Sequence, residues 1–352
     1  MTQPATQFLE IAQPDDWHLH LREGQALRDV VGASASWAAR ALVMPNLSPP
    51  VTTVERALAY RQEILAALPE GSGFNPQMTL YLTDNTPVEE VLRAGQTPNV
   101  LAFKLYPAGA TTHSDRGVTD ITRVDRVLEA MARAGLVLCV HGEVTQPEVD
   151  VFDREARFVE EVLSPLRRRH PGLRVVLEHI TTAEGAAYVG QSEPGIAATI
   201  TPQHLLLSRN AIFQGGLRPH AYCLPVLKRE THRQALLKAA TSGSPRFFLG
   251  TDSAPHARST KEASCGCAGC YTAPHALSLY AAAFEQAHAL ARLEGFASQF
   301  GADFYGLPRN TARIRLVRRP QRVPDHFPFC GETIVPLLAG TSLDWTVDPD
   351  PA

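Results

Sequence analysis

Eight apolar, β-branched runs recur along this chain, and segments with helical periodicity lie between them. The runs cover residues 17–20, 41–46, 77–83, 100–107, 136–141, 173–179, 196–203 and 246–252. Near-continuous apolar strands indicate burial on both faces, which helices laid over a parallel sheet provide. Eight such strands predict an α/β fold, a (β/α)8 barrel of the TIM type. An open doubly wound sheet is the alternative, but its ligands usually gather at one switch point, whereas here polar residues end most of the runs.

The length of the chain, 352 residues, is one that single barrels with insertions commonly reach. We therefore predict one domain over residues 1–352, with the barrel at about 12–310. The alternation fades after about Thr311, so residues from about 311 to 352 are predicted to form a C-terminal extension. The helices are expected to include residues 121–133, 153–169, 230–240 and 274–293, and capping-box spacing predicts two more starts at Thr52–Glu55 and Thr181–Glu184.

Charge and hydropathy restrict the partners. A formal net charge of -3 gives no field for gathering nucleic acid or anionic lipid. No apolar run approaches the roughly 18 residues needed to cross a bilayer, and the first residues lack the pattern of a signal peptide. We expect a cytoplasmic protein that acts on a small molecule, with neither nucleic acid nor a membrane as a partner.

Histidines and an aspartate follow several of the apolar runs. His18 and His20 alternate in an extended segment, which places their imidazoles on one side and about 6.6 Å apart along the backbone. His141, His179 and Asp252 end three further runs. Because parallel barrel strands end at one face, these nitrogen and oxygen donors predict a metal site there; zinc suits them, and manganese or cobalt would also accept them.

Two acidic residues are neighbours of these histidines in the sequence. Glu143 and Glu178 are candidates for fixing the second nitrogen of a ligating imidazole. The alternative is that they are ordinary solvated or capping carboxylates.

Lys104 ends another apolar run. Burial and positive neighbours lower the pKa of a lysine, and the neutral amine can capture carbon dioxide as a carbamate, an oxygen ligand able to bridge two metals. The alternative is a structural or substrate-binding lysine.

Several motifs together resemble one enzyme family. They are Asp-Trp-His-Leu-His-Leu-Arg at 16–22, Met-Pro-Asn-Leu at 44–47, Lys-Leu-Tyr-Pro at 104–107, Val-His-Gly-Glu at 140–143, Glu-His-Ile-Thr at 178–181, Thr-Pro-Gln-His at 201–204, Cys-Leu-Pro at 223–225 and Gly-Thr-Asp-Ser-Ala-Pro-His at 250–256. In this order they resemble the short bacterial dihydroorotases, the homodimeric class II type of the amidohydrolase superfamily. The resemblance runs from about Pro14 to Leu338 and implies a homodimer.

The resemblance implies two zinc ions per subunit. One would be held by His18, His20, Asp252 and a carbamylated Lys104, that is, N6-carboxylysine. The same carbamate, with His141 and His179, would hold the second.

The resemblance also implies a substrate pocket. Its implied contacts are the carboxylate partners Arg22, Asn46 and His256, backbone groups of Leu224 and Ala268, the ligand histidines His20 and His141, and Thr111 and Thr112 of a mobile loop at residues 108–117. The sequence of this loop departs from the family pattern at His113, Asp115 and Arg116. The resemblance implies that the loop with Cys265, Cys267 and Cys270 shapes the site, and it implies no metal there. From the residues alone, a structural zinc site or redox chemistry is the alternative for these cysteines.

The implied reaction is the reversible hydrolysis of the cyclic amide of (S)-dihydroorotate to N-carbamoyl-L-aspartate, whose ring-closing direction serves pyrimidine synthesis. Asp252 would be the catalytic acid–base residue that carries the proton. Two alternatives are a related cyclic amidase, such as a hydantoinase or allantoinase, and a metal-binding or scaffold protein that has lost catalysis.

Overall fold

Parallel strands form the centre of the fold in the computed structural model, which describes residues 7–348. A short strand, β1, covers Phe8–Ala12 and lies outside the barrel. The eight strands of the described barrel are β2 (Asp15–Leu19), β3 (Arg40–Val43), β4 (Asn75–Leu82), β5 (Val100–Leu105), β6 (Val137–His141), β7 (Arg174–Glu178), β8 (Ile196–Ile200) and β9 (Phe247–Leu249). They pair in chain order, and each coincides with one of the eight apolar runs.

The sheet closes between its first and last strands, beyond the end of β9. Ser253 forms a parallel bridge with Leu19, and its carbonyl oxygen accepts the His20 N–H at 3.2 Å. The Asp252 N–H donates to the carbonyl oxygen of His18 at 2.9 Å. These bonds confirm the predicted TIM-type barrel, and they join the segments that carry three of the predicted metal ligands.

Helices follow most of the barrel strands. The α-helices of residues 7–348 are α1 (Gly24–Ala35), α2 (Val54–Ala67), α3 (Val88–Gly95), α4 (Asp125–Ala134), α5 (Arg154–Phe158), α6 (Ser164–Arg169), α7 (Ala183–Gln191), α8 (Pro202–Leu206), α9 (Glu230–Ala240), α10 (Arg258–Lys261), α11 (Ala276–Gln286) and α12 (Phe300–Tyr305). Short 3-10 segments are Ile121–Val124, Arg209–Ile212, Pro219–Ala221, Ala273–His275 and Leu290–Arg292, and π-helical segments are Val159–Leu163 and Gly295–Gln299.

Two helices begin one residue later than their capping-box spacing predicts. Thr53 and Thr182 are the N-cap residues of α2 and α7, and their side chains accept the N–H groups of Arg56 and Gly185. The N–H and hydroxyl of Thr181 donate to a buried carboxylate, that of Glu155.

The helix expected over residues 274–293 is also shorter in the structure. α11 ends at Gln286, and His288 has a φ of +52°, a left-handed conformation that interrupts the helix.

The barrel interior is filled by side chains at its amino-terminal end. Trp17, Phe248 and Tyr305 belong to one buried cluster there, and the rings of Trp17 and Tyr305 stack with centroids 4.4 Å apart. Because α12 supplies Tyr305, the segment that follows β9, the last strand of the barrel, fills this end. The carboxyl end carries the polar side chains described below.

The C-terminal segment forms a second sheet with the start of the chain. β10 (Arg313–Arg322) pairs antiparallel with β1 and with β13 (Ser342–Asp348), while β11 (Phe327–Phe329) and β12 (Glu332–Ile334) form a hairpin. Residues 1–6 and 349–352, which belong to the predicted domain and its extension, lie outside the described residues. Within residues 7–348, no helix combines the length and the apolar character that a membrane span requires.

Candidate active site

The six predicted metal ligands lie at the carboxyl end of the barrel. His18 and Lys104 belong to β2 and β5, His141 ends β6, His20 and His179 each follow a strand by one residue, and Asp252 lies three residues beyond β9. All six are buried. Strands distant in sequence therefore deliver them to one place, as the barrel topology predicts.

His18, His20 and Asp252 form a candidate metal site. One ligand atom from each lies within 4.8 Å of the others. The Oδ1 atom of Asp252 is 3.1 Å from His20 Nε2 and 3.5 Å from His18 Nε2. Two imidazole nitrogens and a carboxylate oxygen are ligands that zinc accepts.

The second nitrogen of each of these imidazoles has its own partner. His18 Nδ1 is 2.8 Å from Glu178 Oε2, and His20 Nδ1 is 2.7 Å from Asn46 Oδ1. With Nδ1 of each ring donating to its oxygen partner, Nε2 keeps the lone pair that a metal ligand needs. The Nε2 atoms are the ones that face Asp252, so both rings are oriented for metal binding.

His141 and His179 lie beside this group. Their ring centroids are 4.9 Å apart, and the His179 ring is also 4.9 Å from that of His18. Glu143 Oε2 is 2.8 Å from His141 Nε2, which leaves His141 Nδ1 as the free lone pair. His179 Nδ1 is buried and has no hydrogen-bond partner among the described residues. Such an unpartnered buried nitrogen fits a metal ligand.

Lys104 is fully buried, and its Nζ has no hydrogen-bond partner within residues 7–348. Burial lowers its pKa, while the carboxylates of Glu178 and Asp252 oppose that shift. An unpaired buried ammonium is costly, whereas a neutral amine can take up carbon dioxide. The orphaned Nζ near His18 and His179 therefore fits a modified lysine in a two-metal site.

Asp252 is held in a left-handed conformation, with a φ of +46°. Burial acts to raise its pKa, but its contact with His20 and the nearby His18 and Lys104 hold that pKa below its usual value. A neighbouring carboxylate, Asp16, accepts hydrogen bonds from both the N–H and the hydroxyl of Thr251. Asp16 thus fixes the chain next to Asp252.

A pocket opens over these ligands, and every predicted substrate contact lines it. The lining residues are His18, His20, Arg22, Asn46, Tyr106, Thr111, Thr112, His141, His179, Leu224, Asp252, Ala254, His256, Ala268 and Gly269. Metal donors therefore meet amide, hydroxyl and guanidinium groups in one cavity, an arrangement that can orient a small polar ring.

Arg22 and His256 are in contact on one side of the pocket. Arg22 Nη2 donates to His256 Nε2 at 3.2 Å, and Arg22 Nε donates to the carbonyl oxygen of Pro255 at 3.0 Å. Burial, and then the charge of Arg22, lower the pKa of His256 to about 2, so the imidazole is neutral. Arg22 is consequently the charged group available to an anionic substrate at this position.

The predicted mobile loop lies over Asn46. The side-chain amide of Asn46 is 3.5 Å from the carbonyl oxygen of Thr112, and His113 Nδ1 is 3.4 Å from the carbonyl oxygen of Asn46. The structure therefore places Thr111, Thr112 and Asn46 together at the pocket, with Asn46 also contacting a predicted metal ligand.

Three residues that line the pocket were not predicted as contacts: Tyr106, Ala254 and Gly269. Tyr106 lies two positions after Lys104, and this alternation could have indicated it. Gly269 has a φ of +142°, and a Cβ there would come within 2.8 Å of the Cβ of Ala254 and 3.0 Å of His256 Cδ2. Nothing in the sequence indicates this close approach.

The cysteine loop is held by a lysine that the sequence did not indicate. Lys261 Nζ donates to the carbonyl oxygens of Tyr222, Cys267 and Gly269 at 2.7–2.8 Å. Cys265 is exposed and Cys270 is buried. This arrangement agrees with a loop that shapes the pocket.

The chain is similar to dihydroorotases over nearly its whole length. It is 62% identical over 340 residues to the dihydroorotase of Cupriavidus metallidurans, covering 97% of this chain and 99% of that protein. The structure of the Campylobacter jejuni dihydroorotase matches with a TM-score of 0.89 and 32% identity, over 98% of this chain and 99% of that one.

A further solved structure is similar to the same degree. The Saccharomyces cerevisiae dihydroorotase in complex with 5-fluoroorotic acid matches with a TM-score of 0.89 and 31% identity, over 97% of this chain and 98% of that one. No protein-family model matches the chain. The fold, the candidate metal site and these full-length similarities lead to one conclusion: the chain belongs to the dihydroorotase family.

Proposed function

We propose that this protein interconverts (S)-dihydroorotate and N-carbamoyl-L-aspartate, with ring closure as the direction that serves pyrimidine synthesis. The observation that carries the proposal is one pocket that combines buried nitrogen and carboxylate ligands with the guanidinium of Arg22. The first group suits attack on an amide and the second suits a carboxylated ring.

His18, His20 and Asp252 would hold one zinc ion together with the carbamate of Lys104, and His141 and His179 would hold a second through the same carbamate. The carbamate forms when the neutral Nζ attacks carbon dioxide and releases a proton. Two zinc ions supply an activated water and polarise the ring carbonyl when they are bound. The buried, unpartnered Nζ of Lys104 supports this assignment.

Asp252 is the proposed proton carrier. Its carboxylate accepts the proton of the attacking nucleophile and passes it to the departing amide nitrogen, and in ring closure the two transfers reverse. His18 and His20 hold the carboxylate at the floor of the pocket, and their contacts keep it ionised until the proton arrives.

The substrate is proposed to lie with its carboxylate toward Arg22, Asn46 and His256. Backbone groups of Leu224 and Ala268 would contact the ring, and Thr111 and Thr112 would close over it; His20 and His141 border the same space. The yeast relative was crystallised with 5-fluoroorotic acid, a carboxylated pyrimidine, which supports a ligand of this class.

We further propose that residues 1–352 form one domain, with the barrel at about 12–310 and the extension at about 311–352, and that two copies form a homodimer. The pairing of β1 with β10 supports the single domain because it ties the two ends of the described chain together. We place the protein in the cytoplasm, where thiols such as the six unpaired cysteines of residues 7–348 stay reduced.

The test of the substrate is a comparison of kcat/KM for dihydroorotate, hydantoin and allantoin with zinc-loaded protein. We expect dihydroorotate to be preferred by at least about 100-fold, because an uncarboxylated ring leaves the guanidinium of Arg22 without an anionic partner. Preference for hydantoin or allantoin would contradict the assignment. Absence of turnover on all three in zinc-loaded protein supplied with bicarbonate would favour a protein that has lost catalysis.

A further inference from the structure

Thr199 lies in β8, a strand that supplies none of the predicted metal ligands, and it is fully buried. Its carbonyl oxygen accepts the N–H of Ile180 at 3.1 Å, and its Oγ1 accepts the N–H of His179 at 2.7 Å. Thr199 therefore holds the backbone on both sides of the His179 peptide. His179 has a φ of +42°, a conformation that a non-glycine residue keeps only when its surroundings fix it.

The same hydroxyl also reaches His18. Thr199 Oγ1 donates to Glu178 Oε2, and that oxygen is 2.8 Å from His18 Nδ1. A hydroxyl has one proton, and the contact with the His179 N–H uses only an oxygen lone pair. The proton is thus committed to Glu178, and the carboxylate accepts from Thr199 and from His18. These linked hydrogen bonds keep the proton of His18 on Nδ1. The lone pair of His18 Nε2, on the side that faces Asp252, then remains available to a metal.

Packing fixes the position of this hydroxyl. A Cβ on Gly250 would lie 2.7 Å from both Cβ and Cγ2 of Thr199 and 3.0 Å from the Cβ of His18. The absence of a side chain at Gly250 lets β9 approach the Thr199 methyl group closely, which keeps the hydroxyl turned toward Glu178 and His179.

We propose that Thr199 is a positioning residue whose single hydroxyl aligns ligands of both metal positions, His18 for one and His179 for the other. This inference rests on the metal site of the proposed function. It goes beyond that function because Thr199 contacts neither a metal ligand's donor atom nor the substrate pocket.

The test is the zinc affinity of both positions in Thr199→Val, a change that keeps the branched shape and removes the hydroxyl. Partners of metal ligands typically contribute 10- to 100-fold to affinity, so we expect zinc binding at both positions to weaken by about that factor. Competition with a chelator measures the affinity, and the visible spectrum of cobalt-substituted protein measures ligand geometry. Thr199→Ser retains the hydroxyl, so its zinc affinity should lie within about threefold of that of the unmodified protein, and its cobalt spectrum should match that of the unmodified protein.

The matched control is Thr79→Val in β4. Thr79 is also buried, and its hydroxyl donates to the carbonyl oxygen of Val43 rather than to a predicted ligand or its partner. Unchanged zinc affinity in Thr199→Val, or equal losses in Thr199→Val and Thr79→Val, would overturn the inference. If Thr199→Val does not fold, the zinc affinities of Thr199→Ser and Thr199→Ala are compared instead. Equal losses of zinc affinity in these two variants would also overturn the inference.

The proposed function is tested separately. Zinc-loaded unmodified protein that does not turn over dihydroorotate would refute the proposed function, but the comparison of zinc affinities would still test the role of Thr199.

Discussion

Asp252 combines two properties that a proton carrier needs. It is buried, and its contact with His20 and the nearby His18 and Lys104 hold its pKa below the usual range, so the carboxyl group is ionised. A carboxylate that is ionised and screened from bulk water can take a proton from a reacting group and return it within the pocket.

Asp252→Asn should reduce kcat by about 100-fold or more, because the amide preserves the shape but does not accept a proton. Steady-state turnover of dihydroorotate measures the effect, and thermal unfolding shows whether the fold is kept. The exposed Asp344→Asn is the control and should have no effect on turnover. Comparable activity in Asp252→Asn would require another acid–base residue.

His204 shows how burial outside the metal ligands affects stability. Its Nδ1 lies 2.6 Å from the Thr201 hydroxyl and its Nε2 lies 3.0 Å from the carbonyl oxygen of Pro225, so Nε2 carries the proton of a neutral ring. Burial lowers the pKa of His204 to about 4 from the usual 6.5.

Between pH 6.5 and 4 the unfolded chain should therefore bind a proton at His204 that the folded protein does not bind. The contribution of neutral His204 to the free energy of unfolding is fully present above pH 6.5. It is lost as the pH falls to about 4, at up to about 1.4 kcal/mol per pH unit. Urea unfolding across this range should show a shallower acid slope in His204→Gln than in the exposed control His326→Gln. Equal slopes in the two variants would contradict the assignment.

At the scale of elements, the segment after β7 is held from two sides. Thr199 of β8 contacts it on one side, and Glu155 of α5 accepts the N–H and hydroxyl groups of Thr181 and Thr182 on the other. A single buried carboxylate thus receives four hydrogen bonds just after His179. The position of a predicted ligand depends in this way on α5, a helix of the segment that connects β6 to β7.

Glu155→Gln replaces one acceptor oxygen by an NH2 group and leaves buried donors of the segment without a partner. We expect a loss of about 1–3 kcal/mol in unfolding free energy for each donor left unsatisfied. The control is Glu161→Gln, which removes a surface pair with Arg157 and should change stability by less than about 1 kcal/mol. Chemical unfolding of the two variants measures the difference, and equal stabilities would argue against the role of Glu155.

The strands of the barrel could be predicted because buried parallel strands have continuous apolar sequences, and the helix starts because threonine caps have a local signature. Helix α12 and the pairing of β1 with β10 could not be predicted from the sequence. The place of Tyr305 depends on stacking against Trp17, nearly 300 residues earlier in the chain, and that long-range contact leaves no periodic pattern.

At the scale of the whole molecule, the two ends of the barrel have different roles. Trp17, Phe248 and Tyr305 fill the amino-terminal end, and the carboxyl end carries the candidate site. The sequence indicated which residues end the strands, and the barrel rule predicted that they converge. The rule does not give the hydrogen bonds that orient each imidazole, because these depend on side chains from neighbouring strands, such as Glu178 for His18.

The proposed activity requires two zinc ions joined by a modified Lys104. The most direct test is an anomalous-difference map and an electron-density map of zinc-loaded crystals grown with bicarbonate. We predict two zinc peaks, one bounded by His18, His20 and Asp252 and one beside His141 and His179, with continuous density between them from a carboxylated Nζ. Zinc peaks away from these histidines, or an unmodified Lys104 that contacts no metal, would contradict the account.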